Sequence, residues 1–441
     1  MVQLRYDGKV AIVTGAGGGL GKTYALELAK RGCKVVVNDL GGDRHGTSSS
    51  TSMADKVVQE IKAAGGQAVA NYDSVEFGEK IVKTAIDAFG RIDIVINNAG
   101  ILRDVSLLKM KDVDWDLIFQ VHVKGAFSVT RAAWPYMRDQ KYGRIIVTSS
   151  NAAIYGNFGQ TNYSAAKSAL IGFANSLAKE GEKYNIKANT LVPTAGSRLT
   201  QTVMPEDLVN ALKPEYVTPL TLYMAHESFP ETGKVYEAGA GWYGQLLYYR
   251  SNGKVVTNAS VEDVANNWTA ISDMKNAHSL SYMKDATAHL MDALAAQEEA
   301  NEKANASGGA STGTSVGGDF PASIRSSALF KEMAEGVRKE PELVKNVKAI
   351  ILYSITDGKN EIGKFTLDFK SSPPSVYFGD VKNGEKATTT VTVSDNDFCE
   401  IGAGTLQPQK AFMSGKLKVK GNVMLLQKLQ GLTEARKKSK M

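Results

Sequence analysis

The first 240 residues alternate between short apolar runs and longer segments with helical spacing. The runs are rich in β-branched residues and nearly continuous in apolar residues, as in strands buried on both faces of a parallel sheet. They are Val10–Thr14, Val35–Asn38, Ala68–Asn71, Ile92–Asn97, Ile145–Ser149, Ala188–Val192 and Lys234–Glu237. Between them, as in Leu20–Arg31 and Glu76–Phe89, apolar residues recur every three or four positions,. Alternating strands and helices predict an α/β fold with a doubly wound parallel sheet.

The pattern changes after residue 241. Two further helical patterns, Val261–Ser272 and Leu280–Leu294, complete or flank a first domain that we place at residues 1–295. Residues 296–318 contain one large apolar side chain, Val316. A segment of that composition buries too little surface to offset the entropy lost on ordering. We therefore expect a flexible linker over 296–318.

A second patterned region covers residues 319–441. Helical spacing over Ser323–Arg338 is followed by alternating segments, and helical spacing returns around Ala411–Met413 and Val423–Leu432. The alternating segments are Val347–Ile355, Gly363–Phe369, Val376–Phe378 and Thr388–Val393. Strands followed by helices predict a small α+β domain.

Composition and charge exclude several classes of protein. No run of about 18 apolar residues predicts a transmembrane segment, and the charged N-terminus is unlike a secretory signal. Two cysteines, Cys33 and Cys399, cannot form a disulfide framework, which favours an intracellular protein,. The net charge of +6 lies within residues 319–441, which hold 20 Lys+Arg against 14 Asp+Glu. These charges form no basic run with interleaved aromatics, so we expect no nucleic-acid partner. We also expect no metal site.

A glycine-rich turn between the first strand and a helix indicates a dinucleotide site. The turn contains Gly15, Gly19, Leu20 and Gly21. Such a turn lets backbone N–H groups approach a pyrophosphate at the helix N-terminus. The second strand ends at Asp39, whose carboxylate can accept hydrogen bonds from ribose hydroxyls and would repel a 2′-phosphate,. We therefore expect NAD, while Arg44 keeps NADP open because its guanidinium could neutralise that phosphate.

A second motif has the spacing Ser-x12-Tyr-x3-Lys and consists of Ser150, Tyr163 and Lys167. The tyrosine and the lysine are four residues apart and share one helical face. A tyrosine can accept a proton from an alcohol near neutral pH if nearby cations lower its pKa by about three. Lys167 and the positive nicotinamide ring would supply that charge, and Ser150 would hold the substrate oxygen. The three residues together suit proton transfer from an alcohol, whereas the tyrosine alone would be explained as a buried residue of an amphipathic helix.

Together these residues resemble the short-chain dehydrogenase/reductase superfamily, which has a Rossmann-type fold. The matching segments are Gly15–Gly21, Asn97–Gly100 and Tyr163–Lys167, and the resemblance covers about residues 5–240. It implies further cofactor contacts from Asp73, Ser74, Asn98, Lys167, Ala195, Gly196 and Ser197.

This sequence departs from the family pattern at two positions. Thr194 stands where most members have glycine. His122 stands where most members have an asparagine that supports a proton relay. A histidine can shuttle protons, but a lone histidine is also often structural, and both readings stay open.

Longer stretches, including VVVNDLGG, NNAGILRD and TAGSRLTQTVMPEDLV, are similar to the dehydrogenase units of type-2 peroxisomal multifunctional enzymes. This implies an NAD-dependent (3R)-hydroxyacyl-CoA dehydrogenase of fatty-acid β-oxidation that works as a homodimer. Residues 319–441, and Pro408–Leu432 above all, resemble a sterol-carrier-protein-2-like domain, which implies a bound lipid or fatty acyl-CoA. The linker stands where many members carry a hydratase unit. Ser439-Lys440-Met441 resembles a peroxisomal address and implies an import receptor and a peroxisomal location,.

Two other functions remain open at this point. A hydroxysteroid dehydrogenase or a 3-oxoacyl reductase would use the same serine, tyrosine and lysine. A lipid carrier is the alternative from a different class, but a carrier would need no catalytic tyrosine.

Overall fold

The computed structural model of the chain describes residues 3–41, 52–196, 207, 211–306, 320–344, 347–382 and 384–421. The chain forms two compact units, Met1–Leu247 and Tyr248–Met441. We expected the first domain to end at residue 295, but the segment that begins at Tyr248 belongs to the second unit. Among the described residues, no helix has the length and apolar character needed to cross a membrane.

One sheet of eight strands forms the centre of the first unit. The strands are β1 (Val10–Thr14), β2 (Lys34–Asn38), β3 (Gln67–Asn71), β4 (Ile94–Asn97), β5 (Gly143–Thr148), β6 (Ile186–Thr194), β7 (Val235–Gly239) and β8 (Trp242–Leu246). Their order is β3-β2-β1-β4-β5-β6-β7-β8, and every neighbouring pair is parallel except β7 and β8. The predicted doubly wound parallel sheet is confirmed. The sequence pattern does not reveal β8, which is an edge strand with half-buried or exposed side chains.

Helices cover both faces of this sheet. They are α1 (Gly19–Lys30), α2 (Ser52–Ala63), α3 (Gly78–Phe89), α4 (Asp112–Phe119), α5 (Gly125–Gln140), α6 (Asn151–Tyr155), α7 (Thr161–Gly181) and α8 (Thr218–Ala225). Side chains of α1, α2 and α8 pack in one buried cluster with Ala11 and Val13. Side chains of α3, α5 and α7 pack in another with Val10 and Ile12. Neighbouring residues of β1 therefore point to opposite layers, as the two-residue period of a strand requires.

The second unit begins with a helical segment. Its helices are α9 (Val261–Asn266), α10 (Trp268–Ile271) and α11 (Met283–Ala306). Residues 296–306 of the expected flexible linker are thus helical. Alanine, glutamate and lysine in this stretch have high helix propensity, so it continues α11 although it carries few apolar residues,. The rest of the expected linker, up to residue 318, lies outside the described residues.

The remainder of the second unit has the expected α+β character. Its elements are α12 (Ser327–Lys339), β9 (Ile350–Thr356), β10 (Glu361–Asp368), β11 (Ser375–Phe378), β12 (Thr389–Ser394), α13 (Asp395–Ala403), α14 (Pro408–Met413) and β13 (Leu417–Gly421). The sheet order is β11-β10-β9-β12-β13, with β9 and β12 parallel and the other pairs antiparallel. The sequence pattern misses α13 and β13. The predicted helix over Val423–Leu432 lies outside the described residues.

Each unit holds one of the two cysteines of the chain. Cys33 is 1% exposed within the first unit, and burial raises the pKa of its thiol far above the usual value, with the charge of Asp93 adding to the rise. Cys399 lies on α13 and is half-buried, and burial raises its pKa as well. Both thiols are therefore protonated at neutral pH.

Candidate active site

The turn between β1 and α1 has the backbone of a phosphate-binding loop. Gly15 and Gly19 have φ angles of +61° and +52°, a region that favours glycine,. A Cβ atom on Gly21 would lie 2.3 Å from the carbonyl oxygen of Gly15, so a side chain there would disrupt the turn. Gly18 caps α1 without a side-chain hydrogen bond, and the first turn of the helix contains no acidic residue. The N–H groups of this first turn can therefore donate hydrogen bonds to an anionic diphosphate.

Asp39 lies directly beside this turn. Its Oδ2 accepts a hydrogen bond of 2.7 Å from the backbone N–H of Gly17, and its Oδ1 accepts one of 2.7 Å from Gly41. A carboxylate has further lone pairs for hydroxyl donors. The position fits a ribose with free hydroxyls and opposes a phosphate. Arg44, which kept NADP open, lies outside the described residues.

Asn98 stabilises the turn from the end of β4. Its Nδ2 donates to the carbonyl oxygens of Thr14 at 3.0 Å and Gly15 at 3.2 Å. The backbone N–H of Asn98 also donates to Thr14 Oγ1 at 3.0 Å. These contacts show how the residue supports the turn, and its expected contact with a ribose stays a prediction.

Asp73 and Ser74 follow the end of β3. Asp73 accepts a hydrogen bond of 2.9 Å from Asn71 Nδ2, and its carboxylate lies 3.7 Å from Lys80 Nζ. Ser74 caps a short 3-10 helix, Val75–Phe77, by accepting from the N–H of Glu76. Both residues thus lie at the same edge of the sheet as Asp39, and their contact with an adenine remains a prediction.

The structure brings Ser150, Tyr163 and Lys167 together. Ser150 follows β5 and caps α6, where its Oγ accepts a hydrogen bond of 3.2 Å from the N–H of Ala152. Its side chain also hydrogen-bonds to Tyr163. Lys167 Nζ lies 5.5 Å from the centre of the Tyr163 ring. The three residues thus meet at the carboxyl end of β5.

Lys167 is buried and almost uncompensated. It is 3% exposed, and its Nζ donates a hydrogen bond of 2.7 Å to the carbonyl oxygen of Thr148. Burial lowers the pKa of this ammonium to about 7. Ser149 fixes the backbone of the lysine, since its Oγ donates to the Lys167 carbonyl at 2.9 Å. The lysine retains donor capacity for ribose hydroxyls.

Tyr163 shows the opposite effect. Burial raises the pKa of its phenol to about 12 and outweighs the hydrogen bond from Ser150, which lowers it, while the charge of Asp104 adds to the rise. The protein groups alone therefore do not produce the lowered pKa that the sequence motif predicts. A further cation is needed beside the phenol, and an oxidised nicotinamide ring carries such a charge.

His122 also lies beside the tyrosine. It sits in a π-helical turn, Gln120–Lys124, between α4 and α5, and it is 2% exposed. Its Nε2 contacts the carbonyl oxygen of Ile101 at 2.9 Å, and its ring meets that of Tyr163 edge-on at 5.3 Å. Burial, aided by the charge of Lys167, lowers the pKa of His122 well below its ordinary value. The imidazole is therefore neutral, and a proton relay through it stays a prediction.

Sequence reasoning missed Asn162, which precedes the tyrosine. Asn162 is fully buried, and its Nδ2 donates to the carbonyl oxygens of Arg103 at 3.2 Å and Asp114 at 3.0 Å. Its Oδ1 accepts a hydrogen bond of 2.7 Å from the N–H of Tyr163. Asn162 is the second residue of α7, after the N-cap Gln160, so no capping pattern in the sequence points to it.

The structure explains the unusual Thr194. Asn151 Nδ2 donates to Thr194 Oγ1 at 2.8 Å, which ties the start of α6 to the end of β6. A glycine could not form this bond. Ala195 and Gly196 follow directly, whereas Ser197 lies outside the described residues. Elsewhere in the described part of the chain, no group of three or more His, Cys, Asp or Glu residues could hold a metal ion.

Residues 9–208 match the short chain dehydrogenase family, and residues 330–434 match the SCP-2 sterol transfer family. The chain is 47% identical over 444 residues to peroxisomal multifunctional enzyme A of Dictyostelium discoideum, a match that covers 98% of this chain and 99% of that protein. This chain belongs to the peroxisomal multifunctional enzyme family.

Other members of the peroxisomal multifunctional enzyme family match part or most of the chain. Peroxisomal multifunctional enzyme type 2 of Mus musculus is 57% identical over 295 residues, which are 66% of this chain and 40% of that protein. The solved full-length type 2 enzyme of Drosophila melanogaster is 31% identical with a TM-score of 0.57, and the match covers 95% of this chain and 86% of that one.

A more distant structure carries a cofactor. It is a 7α-hydroxysteroid dehydrogenase complexed with NADH and a 7-oxo bile acid, 26% identical with a TM-score of 0.50, over 55% of this chain and 98% of that one. With the turn at Gly15–Gly21, this indicates a nicotinamide dinucleotide as the cofactor of our chain.

Proposed function

We propose that the protein is an NAD-dependent (3R)-3-hydroxyacyl-CoA dehydrogenase of peroxisomal β-oxidation with a C-terminal lipid-binding domain. The observation that carries the proposal is the meeting of Ser150, Tyr163 and Lys167 beside the turn that Asp39 anchors. Similarity along almost the whole chain to a peroxisomal multifunctional enzyme supports the acyl-CoA substrate and the location.

Each catalytic side chain has a distinct task. Ser150 donates a hydrogen bond to the 3-hydroxyl oxygen and orients it toward the phenol. Tyr163 accepts the hydroxyl proton as the carbonyl forms. Lys167 holds the ribose and favours the phenolate by its positive charge. A bound oxidised nicotinamide would supply the acceptor for the hydride that leaves C3.

His122 is assigned a supporting task in this scheme. Its neutral ring packs against Tyr163, and its Nδ1 is buried without a hydrogen-bond partner among the described residues. An unpaired buried ring nitrogen is costly unless a water or a substrate group satisfies it. We assign it the end of a relay that returns the proton from Tyr163 to solvent.

NAD rather than NADP is proposed because of Asp39. Both carboxylate oxygens are held by backbone N–H groups, so the charge cannot turn away from a 2′-phosphate. The contacts of Asp73, Ser74, Asn98, Ala195, Gly196 and Ser197 with the cofactor belong to the same proposal.

The partners follow from the two matched families. The match of residues 330–434 to the SCP-2 sterol transfer family supports a lipid ligand in the C-terminal domain. A homodimer and import through a receptor for Ser439-Lys440-Met441 are further parts of the proposal. The terminal tripeptide lies outside the described residues.

The proposal is tested by the absorbance of NADH formed from separate (3R)- and (3S)-3-hydroxyacyl-CoA. We expect turnover of the R form alone. Turnover of the S form alone would reverse the stereochemistry.

Inactivity with both forms, with NAD still bound, would exclude the acyl-CoA substrate. Steroid alcohols would then be tested next, because the chain is similar to a hydroxysteroid dehydrogenase.

A further inference from the structure

Ser150 lies at the start of a very short helix. It caps α6, which has five residues, and its Oγ accepts a hydrogen bond of 3.2 Å from the N–H of Ala152. The same side chain hydrogen-bonds to Tyr163. A helix of this length is not stable by itself, because the first turn fixes several residues for a single hydrogen bond. The position of the Ser150 hydroxyl therefore depends on what holds α6 against the rest of the fold.

One side of α6 is held by α7, the helix that carries the tyrosine and the lysine. Ser168 of α7 donates a hydrogen bond of 3.1 Å from its Oγ to the carbonyl oxygen of Ala153. Ile154 of α6 packs against a small buried cluster with members on α7, β6 and β7. These contacts fix the middle of α6 and leave its first residue to be held from elsewhere.

The first residue of α6 is held by the end of β6. Asn151 Nδ2 donates a hydrogen bond of 2.8 Å to Thr194 Oγ1. Thr194 pairs with Gly239 of β7, and a Cβ atom on Gly239 would lie 2.9 Å from the Cβ of Thr194. The glycine thus leaves room for the threonine side chain. Asn151 directly follows Ser150, so this hydrogen bond acts on the residue next to the serine.

We propose that Asn151 and Thr194 are a positioning pair: their hydrogen bond holds the start of α6, so that the Ser150 hydroxyl stays where it reaches both Tyr163 and the substrate oxygen. Neither side chain of the pair needs to touch the substrate. The catalytic part of the inference rests on the proposed function, whereas the hold on α6 does not.

The kinetic test compares the full-length wild type with Thr194→Val and Thr194→Ser. Valine has nearly the shape of threonine but no hydroxyl, whereas serine keeps the hydroxyl. The kcat for a (3R)-3-hydroxyacyl-CoA should fall about tenfold in Thr194→Val, because a small displacement of a catalytic group is costly. Thr194→Ser should restore most of this loss. The Kd of NAD, measured by titration, should stay the same in both variants.

The pH profile of kcat/KM provides a readout that a merely structural role would not change. The hydrogen bond with Ser150 lowers the pKa of the Tyr163 phenol. The valine variant weakens that bond, so the acidic limb of the profile, where the phenol gains its proton, should move to higher pH. The other titratable groups that face the phenol are Lys167, Asp104 and the neutral His122, and the variant alters none of them.

Thr190→Val is the matched control. Thr190 lies on β6 as well, it is fully buried, and its Oγ1 has no hydrogen-bond partner among the described residues. This variant makes the same substitution on the same strand without breaking a hydrogen bond. Its kcat and its pH profile should therefore equal those of the wild type.

Asn151→Ala breaks the same hydrogen bond from the other side. Combined with Thr194→Val, it should lose little more in kcat than either single variant, because both remove one interaction. If Thr194→Val fails to fold, Asn151→Ala provides the same comparison with the wild type.

Hydrogen exchange of α6 tests the pair without a substrate. Thr194→Val should speed the exchange of the backbone N–H groups of residues 152–156 at least about fivefold, as for the loss of one hydrogen bond. Thr190→Val should leave the exchange rate unchanged. If the wild type oxidises no hydroxyacyl-CoA, the proposed function fails, and the exchange rates still decide whether the pair holds α6.

A wild-type kcat and pH profile in Thr194→Val would overturn the inference, even if its Tm were lower, because the hydrogen bond would then be structural only. A weaker affinity for NAD as the only change would also overturn it, since Thr194 would then act at the cofactor and not through Ser150.

Discussion

Two buried side chains of the site have pKa values displaced in opposite directions. Burial raises that of Tyr163 to about 12 and lowers that of Lys167 to about 7. In both cases the uncharged form is favoured, because the interior solvates ions poorly. The polar contacts of the bound dinucleotide and substrate must therefore stabilise the charged forms that the reaction needs.

Tyr163→Phe should retain NAD binding and lose at least about a hundredfold in kcat, the usual range for an acid–base group. The phenylalanine keeps the contact with His122 but has no oxygen to accept the proton. Steady-state NADH formation and NAD titration measure the two effects. A near-normal kcat would show that another group is the base.

Lys167 makes the stability of the cofactor-free protein depend on pH. The pKa of Lys167 is about 7 in the folded protein, against an ordinary value of 10.5. Between these two pH values the unfolded chain therefore binds more protons than the folded protein. The contribution of this lysine to stability is therefore lost as the pH falls from about 10.5 to about 7. Lys167→Met has no titrating group at this position. Near pH 7 its free energy of unfolding should therefore exceed that of the wild type by as much as about 4 kcal/mol, because each unit of pKa difference corresponds to about 1.4 kcal/mol. The gain should shrink as the pH rises.

Urea unfolding of both proteins at several pH values measures this difference. Parallel stability curves would mean that Lys167 titrates normally in the folded protein.

The residues of the site were predictable where the motif is local. Tyr163 and Lys167 share one helix, and Ser150 follows a strand that its apolar run reveals. The bond between Asn151 and Thr194 was not predictable, because it depends on where two separate strands end. Neither was the raised pKa of Tyr163, since burial depends on the complete fold.

At the scale of elements, a hydrogen bond connects the end of β2 to the turn before α1. The Asp39 carboxylate holds the N–H of Gly17. We expect Asp39→Ala to narrow the preference for NAD over NADP and to lower Tm, because it removes both the charge and the anchor of the turn.

Asp39→Asn is the matched comparison. It loses the charge but keeps a carbonyl oxygen for Gly17, so it should narrow the cofactor preference with a smaller change in Tm. The ratio of kcat/KM for the two cofactors measures the preference. An unchanged ratio in both variants would place the ribose contact elsewhere.

Strands with mostly buried side chains were easier to predict than strands with several exposed ones. The strands from β1 to β7 form apolar runs because helices cover both of their faces. By contrast, β8 and β13 lie at sheet edges, and Trp242 and Lys418 are examples of their exposed side chains. Composition likewise gave a wrong prediction for residues 296–306. They form a helix instead of a flexible linker, because their high helix propensity outweighs the lack of apolar residues,.

At the scale of the whole chain, the hydrophobic clusters are separate. Among the described residues, the clusters flanking the first sheet contain no residue beyond Leu246, and the cluster of the C-terminal domain lies within residues 320–419. Deleting residues 319–441 should therefore leave NADH formation near the wild-type rate and abolish lipid binding by that domain.

Circular dichroism of the truncated protein is the necessary control for that deletion. A folded but inactive fragment would show that the dehydrogenase depends on the C-terminal domain.

The two protonated thiols affect how the protein can be handled and how it ages. Peroxides and alkylating reagents attack the thiolate, and raised pKa values keep that form scarce at Cys33 and Cys399,. Peroxide should therefore leave the chain free of sulfenic acid at neutral pH. A cysteine introduced at an exposed position such as Val261 could then carry a spectroscopic label without removal of the native pair.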